Sequence, residues 1–240
     1  MNREELLAER LRRNEIPFAP GTPEKLAAYL ALLEAWNSRM DLTAVLTPEE
    51  TADRHFVDSL SVLKTGLLAS AETVIDVGTG AGFPGLALAL ACPEKRFTLL
   101  DSLRKRLDFL RAVCEETGAQ NVSLVHLRAE DGGRDPRFRE KFDAALARAV
   151  APLNVLCEYL LPFVRPGGKV LCWKGPALAE ELEAGRRAAH LLGGRAEPPV
   201  SCPISGRDWD HRILPVLKVQ PCPKAYPRKA GTPKAHPLGL

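Results

Sequence analysis

Val74-Ile75-Asp76-Val77-Gly78-Thr79-Gly80-Ala81-Gly82-Phe83-Pro84-Gly85 is the stretch on which the fold turns. β-Branched residues run into an acid, three glycines follow at alternate positions, and an apolar helical run, 86–91, begins directly afterwards. The pattern reads as strand, tight turn, helix. Glycine permits backbone angles closed to other residues and lets a ligand approach the main chain. The helix behind the turn offers unpaired N–H groups. In open α/β sheets the carboxyl end of the first strand is where ligands bind.

The same alternation continues outward from this turn. Strands are predicted at 73–77, 97–101, 122–126, 142–147 and 169–173. Helices are predicted at 86–91, 103–117, 153–164 and 177–192. Repeated strand–helix units mean a mostly parallel sheet, a Rossmann-like α/β fold. Two extended runs, 197–202 and 213–220, are expected to form a terminal hairpin. Toward the N-terminus the period changes to helix only. A short helix is predicted at 4–13. Thr22-Pro23-Glu24 reads as an N-cap followed by proline at the first helical position, and Leu26, Tyr29, Leu30, Leu33, Trp36 and Met40 then lay one apolar stripe along a helix. Thr47-Pro48-Glu49-Glu50 repeats the start signal with a capping box from Glu50, and that helix runs to about residue 63. The expected organisation is a helical cap (1–65), a catalytic domain (70–220) and a basic, proline-rich surface tail (221–240).

At 240 residues, 45% hydrophobic and 26% charged, the chain has the composition of a soluble globular protein. Its 33 basic and 30 acidic residues are too nearly balanced to diagnose nucleic-acid binding from the total. The distribution says more, because 221–240 holds Lys224, Arg228, Lys229 and Lys234 and no acid. Six scattered cysteines without a Cys-x-x-Cys or a histidine cluster read as reduced, buried thiols rather than disulfides or a metal site. The start of the chain has no apolar stretch of the signal-peptide kind, and no run reaches the ~20 residues of a membrane span. A cytoplasmic protein with no membrane association is expected.

Three readings of the glycine turn compete. Gly80-Ala81-Gly82-Phe83-Pro84-Gly85 satisfies the dinucleotide pattern, but it begins four residues beyond Asp76. An acid followed by Gly-x-Gly-x-Gly is instead the pattern for S-adenosylmethionine. Charge separates the two, since a pyrophosphate is anionic whereas this donor carries a sulfonium and an ammonium that a carboxylate favours. A turn with no ligand is the third reading, and it leaves the three glycines incidental. Asp76, Gly78, Gly80 and Gly82 are therefore candidate donor-binding residues. Asp101 ends the second strand 25 positions after Asp76. There it can accept the ribose hydroxyls of an adenosine, or cap the following helix. Arg128-Ala129-Glu130, just past the third strand, is placed either to reach the adenine or to form a solvated turn.

These blocks, with several others, resemble the bacterial family of small-subunit ribosomal RNA guanine-N7 methyltransferases, also called the glucose-inhibited division protein B family. Trp36-Asn37, Leu42-Thr43 and Arg54-His55-Phe56-Val57-Asp58-Ser59-Leu60 match its N-terminal region, and Gly78 to Gly85 its donor loop. Asp101-Ser102, Lys105-Arg106, Phe109-Leu110, Arg128-Ala129-Glu130, Arg148-Ala149 and Lys174-Gly175 follow in order. Tyr226-Pro227-Arg228-Lys229-Ala230-Gly231-Thr232-Pro233 and Pro237-Leu238 are similar to its C-terminal signature. Two positions depart from the pattern. Asp41 stands where the family usually has Asn, and Pro215 falls in the expected last strand, which implies an edge strand or a bulge.

The resemblance implies a class I S-adenosylmethionine-dependent methyltransferase. Its donor contacts would come from Gly78, Phe83, Ala129, Glu130 and Arg148, and its substrate would be a guanine in the 530 loop of 16S ribosomal RNA. N7 of guanine carries a free lone pair and no proton, so no acid–base residue is required and catalysis reduces to positioning and preorganised electrostatics. Arg148 and Lys174 follow the fourth and fifth strands and are candidates to orient the base through O6. Lys174, Arg228, Lys229 and Lys234 are candidate RNA contacts, the tail cations toward phosphate. His55 and Asp58, three apart on one helix face, are expected to join the cap to the catalytic domain by hydrogen bonds. The expected partner is 16S ribosomal RNA, free or in the small subunit, the expected state a monomer, and no metal is expected. The rival readings are a small-molecule methyltransferase of the same fold, a nicotinamide oxidoreductase, and a non-enzymatic RNA-binding assembly protein.

Overall fold

The computed structural model describes residues 1–44, 47–148 and 150–240; Val45 and Leu46 of the expected cap, and Ala149 of the Arg148-Ala149 block, lie outside the described residues. Helix α1 (Arg3–Arg13) opens on a reciprocal capping box between Asn2 and Glu5, a signal the sequence reading passed over. Helix α2 (Thr22–Met40) corrects the expected cap. Gly21, at φ +77°, is the capping residue and Thr22 is already helical; its hydroxyl instead donates to the Leu90 carbonyl at 3.4 Å. Asp41 closes α2 in the left-handed region at φ +48°, a conformation that Asn and Asp share more readily than other side chains, so the departure from Asn is conservative in backbone terms.

Helix α3 (Pro48–Thr51) is capped by the Thr47 hydroxyl, which accepts from the Glu50 amide at 3.3 Å. The Glu50 carboxylate does not complete the box and pairs with Arg54 at 3.1 Å. The chain continues through a π-helical turn (Ala52–Val57), α4 (Asp58–Leu60) and a 3-10 turn (Ser61–Thr65). Among the described residues no strand precedes Thr73.

The sheet is built from β1 (Thr73–Val77), β2 (Arg96–Asp101), β3 (Val122–His126), β4 (Phe142–Arg148), β5 (Val164–Lys174), β6 (Gly194–Ala196), β7 (Val200–Ser201) and β8 (Arg212–Lys218). Its order is β3-β2-β1-β4-β5-β8-β6, with β7 also paired to β8. The first five strands are parallel, and β8 runs antiparallel to β5. The expected hairpin is thus a wider arrangement, in which β8 enters the sheet between β5 and two short edge strands.

Pro215 lies in no bulge, and although β8 has strands on both sides, neither β6 nor β7 pairs with Pro215 itself. It pairs with Leu171 in a continuous register, and its carbonyl accepts from the Glu197 amide at 2.9 Å. A strand residue points its N and its C=O to the same side. The missing N–H therefore faces the side on which β6 has ended and β7 has not begun, where little ladder bonding is forfeited.

Side chains alternate along β1, so Val74 enters one core while Ile75 and Val77 enter the other. The first core is closed by α2, α5 (Gly85–Ala91) and α6 (Arg104–Thr117), the second by α8 (Leu153–Leu160) and α9 (Leu178–Leu191). Covering both faces is what a parallel sheet requires. It leaves the carboxyl edge of β1 and β4, where strand order reverses, as the open position for a ligand. Two short helices, α7 (Ala129–Gly132) and α10 (Thr232–Ala235), stand at that edge. Among the described residues no helix is long and apolar enough to cross a membrane.

The tail does not simply lie on the surface. Cys222, Pro227 and Pro233 are buried, and Tyr226 and Leu238 pack against the second core. Arg139 donates to the carbonyls of Cys222 and Tyr226, both at 2.8 Å, and Arg134 to that of Pro227 at 2.6 Å.

Candidate active site

A cleft of about 930 Å³ opens at the reversal point, walled by the glycine loop, the ends of β2 and β4, the turn after β3, His55 of the cap, and Gly231, Lys234 and Ala235 of the tail. Of the three glycines expected to line it, Gly78 and Gly80 do. Gly80 has φ +60°, and a Cβ there would meet nothing closer than 3.9 Å, so its face is open to a ligand. Gly82 is a correction. It does not border the cleft; at φ +95° it makes room for the cap, since a Cβ would collide with the Tyr29 hydroxyl and come within 2.8 Å of Leu110. The Tyr29 hydroxyl donates to the neighbouring Ala81 carbonyl.

Asp76 is a second correction. It is buried behind the loop and does not border the cleft. One carboxylate oxygen accepts from the Thr79 hydroxyl at 2.7 Å and from the Gly85 amide at 2.9 Å. Burial raises its pKa to about 6 against the pull of those two bonds. Its direct work is to brace the turn, and no donor contact follows from its position.

Asp101 does face the cleft while almost fully buried itself. Oδ2 accepts from the Gly80 amide at 2.9 Å and from Arg106 at 3.3 Å, and Oδ1 accepts from the Leu103 amide just before α6. Oδ1 thus braces the turn into α6 without capping the helix, because Leu103 is the capping residue and no side chain caps it. The long bond to the half-exposed Arg106 is the one a ribose hydroxyl can displace. Ala129 and Glu130 also line the cleft, and Glu130 Oε1 accepts from the Gly231 amide of the tail at 2.8 Å.

Phe83 forms the cap side of the cleft. Tyr29 and His55 both lie parallel to its ring, at 5.1 and 4.8 Å between centroids, and Phe56 meets it edge-on. The Arg148 guanidinium lies 5.4 Å from the same ring. It donates to Asp58 at 2.7 Å, to the Arg54 carbonyl at 2.9 Å, and to His55 Nδ1 at 3.2 Å. Because Nδ1 faces a donor, His55 carries its proton on Nε2, 2.7 Å from the Thr43 hydroxyl. Burial, helped by Arg148, lowers the His55 pKa to about 3, so the ring is neutral. Asn37 in turn holds both the amide and the carbonyl of Thr43, at 2.8 and 2.9 Å. Asn37, Thr43, the His55 and Asp58 pair, and Arg148 come from four separate blocks of the sequence, and they form one hydrogen-bonded chain from cap to β4. His211 Nδ1, 2.8 Å from Asp58, ends this chain and was not anticipated. It follows no motif, and only the return of β8 beside β5 brings it there.

The expected RNA contacts divide. Lys229 and Lys234 are exposed, make no ion pair among the described residues, and Lys234 stands on the cleft wall. Arg228 is a correction, because its guanidinium is held by the buried Glu158 at 2.6 and 2.9 Å and ties the tail to α8 instead of facing solvent phosphate. Lys174 is engaged as well, by Glu181 and, at 3.2 Å, by the Ala151 carbonyl.

A parallel sheet with an antiparallel β8 beside β5, and a cleft floored by a glycine loop with a carboxylate at the end of β2, define a class I S-adenosylmethionine-dependent methyltransferase. The profile of the GidB family, described as rRNA small subunit methyltransferase G, matches residues 22–206. A ribosomal RNA small subunit methyltransferase G from Alkaliphilus oremlandii is 44% identical over 99% of this chain and 100% of its own length. Its counterpart from Alkaliphilus metalliredigens is 45% identical over 90% of each chain. The chain belongs to this family. Among solved structures, the O-methyltransferase TomG from Streptomyces achromogenes in complex with SAM shares the fold at TM-score 0.58 and 18% identity, over 92% of this chain and 100% of that one. A 16S rRNA (adenine(1408)-N(1))-methyltransferase with SAM from Catenulisporales acidiphilia does so at TM-score 0.52 and 19% identity, over 67% and 92%.

Proposed function

We propose that the chain transfers the methyl of S-adenosylmethionine to N7 of a guanine in the 530 loop of 16S ribosomal RNA. The observation that carries the reading is the cleft at the reversal point, combined with the commitment of its titratable groups to internal bonds. His55 is neutral and bonded at both nitrogens, and the carboxylates of Asp101 and Glu130 are already accepting. His55 is thereby withdrawn from service as a base, and N7, which has no proton to lose, needs none.

The donor supplies the electrophilic methyl when bound. Gly78 and Gly80 give it a main-chain floor, Asp101 holds the ribose, and Ala129 and Glu130 flank the adenine. Arg148, fixed by Asp58 and His55, meets the donor carboxylate or orients the base. Preorganisation is the source of the rate, because the cap network sets Arg148 before substrate arrives. In this reading residues 1–65 form the cap, 70–220 the catalytic unit, and 221–240 a strap whose Lys229 and Lys234 meet RNA phosphate. The protein acts as a cytoplasmic monomer on free RNA or on the small subunit.

The test is incubation with labelled donor and either naked 16S RNA or small subunits, followed by mapping of the label. Label on a 530-loop guanine, released as 7-methylguanine, is expected; transfer to a small molecule, or RNA binding with no transfer, would support the first or the third rival instead.

A further inference from the structure

A second cavity, of about 400 Å³, adjoins the donor cleft at the carboxyl edge of β4 and β5. His55 and Arg148 line both spaces, so a base seated in the second turns one edge across these two residues toward the first. Its far side holds an ion pair between Lys174, at the end of β5, and Glu181 of α9. Glu181 Oε2 is occupied by Lys174 and by the Leu153 amide at 2.7 Å, while Oε1 makes no hydrogen bond among the described residues. Arg54 stands in its lining with its guanidinium 4.6 Å over the Trp209 ring.

Resting on the function proposed above, we infer that this cavity seats the target guanine and that Glu181 reads its Watson–Crick edge. Guanine presents N7 at one end of the base and the N1–H and N2 amine at the other, with O6 between them. With N7 turned toward the donor cleft, the N1–H and the amine fall toward Glu181 and O6 falls toward Lys174. A donor beside an acceptor is the order that C6=O and N1–H require. Adenine reverses both, setting its N6 amine against an ammonium and its N1 lone pair against a carboxylate. The site therefore rejects adenine by two unpaired polar contacts. No cation needs to touch N7, because the third Lys174 proton, left over from Glu181 and Ala151, goes to O6, and the Arg148 guanidinium is held by Asp58, Arg54 and His55.

The test uses small subunits reconstituted on 16S RNA carrying either guanosine or inosine at the target position. Inosine keeps N7, O6 and N1–H and lacks only the N2 amine. Absence of label on guanosine would sink the proposed function itself. If guanosine is methylated, the wild-type single-turnover rate on inosine should be lower by about tenfold or more. Equal rates overturn the inference without touching the reaction. Glu181→Gln keeps an oxygen for the Leu153 amide and removes the charge. It should slow guanosine methylation and compress the guanosine-to-inosine ratio to about threefold or less, with donor affinity unchanged. An unchanged ratio in a folded variant places the amine elsewhere and overturns the assignment; the wild-type arm decides the matter if the variant does not fold.

Discussion

Arg228 of the tail grips Glu158 of α8 through two nitrogens, and the carboxylate it neutralises is almost completely buried. Removing one partner of a buried pair leaves an uncompensated charge and costs about 3–5 kcal/mol. The remaining exposure of Arg228 argues for the lower end of that range. Arg228→Ala should therefore lower the melting temperature markedly. The tail downstream supplies Gly231, Lys234 and Ala235 to the donor cleft, so calorimetry should also show weaker binding of S-adenosylmethionine. Deleting residues 224–240 should do both more severely. Loss of RNA affinity alone, with stability and donor binding intact, would restore Arg228 to a phosphate-contact role.

Gly80 and Gly82 should fail in different ways. Gly82→Ala drives a methyl into Tyr29 and Leu110 at a backbone angle unsuited to alanine. A stability loss on the order of 1–3 kcal/mol is expected from overpacking alone. Adding Tyr29→Phe should recover part of it, because the clashing atom is the hydroxyl. Gly80→Ala carries the same left-handed strain, but its Cβ meets nothing closer than 3.9 Å and enters the proposed donor floor, so it should lose less stability and more donor affinity than Gly82→Ala. Equal thermal losses with equal donor affinities would refute the division.

Asp76 gives a pH signature. Its folded-state pKa is raised from 3.8 to about 6, so its stabilising effect is full below pH ~4 and is lost as pH rises through about 6. Asp76→Asn stays neutral, and its amide oxygen can still accept from Thr79 and Gly85. The melting temperature of the variant relative to wild type should therefore climb between pH 4 and pH 8. A difference that does not move with pH would show that the carboxylate titrates normally.

His55 carries the opposite sign. Its folded-state pKa is lowered from 6.5 to about 3, so its contribution is present above pH 6.5 and is withdrawn as pH falls toward 3. Each pH unit in that window costs up to about 1.4 kcal/mol. Denaturant unfolding at pH 7, 6 and 5 should show this slope in wild type and a shallower one in His55→Gln. The His55 ring should also show no titration by NMR above pH 5.

Local sequence determined most of the elements, because each is specified by neighbours in the chain. The alternation of Val74, Ile75 and Val77, the glycines after Asp76, and the period of Leu26, Tyr29, Leu30 and Leu33 carry their own structural instructions. From these the parallel sheet and the position of the cleft followed. Which side chains reach the cleft was decided only by tertiary structure. Asp76 and Gly82 belong to the same motif as Gly78 and Gly80, yet strand alternation buries the acid and the approach of Tyr29 claims the glycine. Arg228 reads as a free cation until α8 brings Glu158 beneath it, and His211 has no local signature at all. Propensity and periodicity act over a few residues, whereas charge pairing and burial depend on groups separated in these two cases by 70 and 153 positions. The sequence alone could therefore place the glycine loop, but not the tail that completes the wall of its cleft or the arginine network beside it.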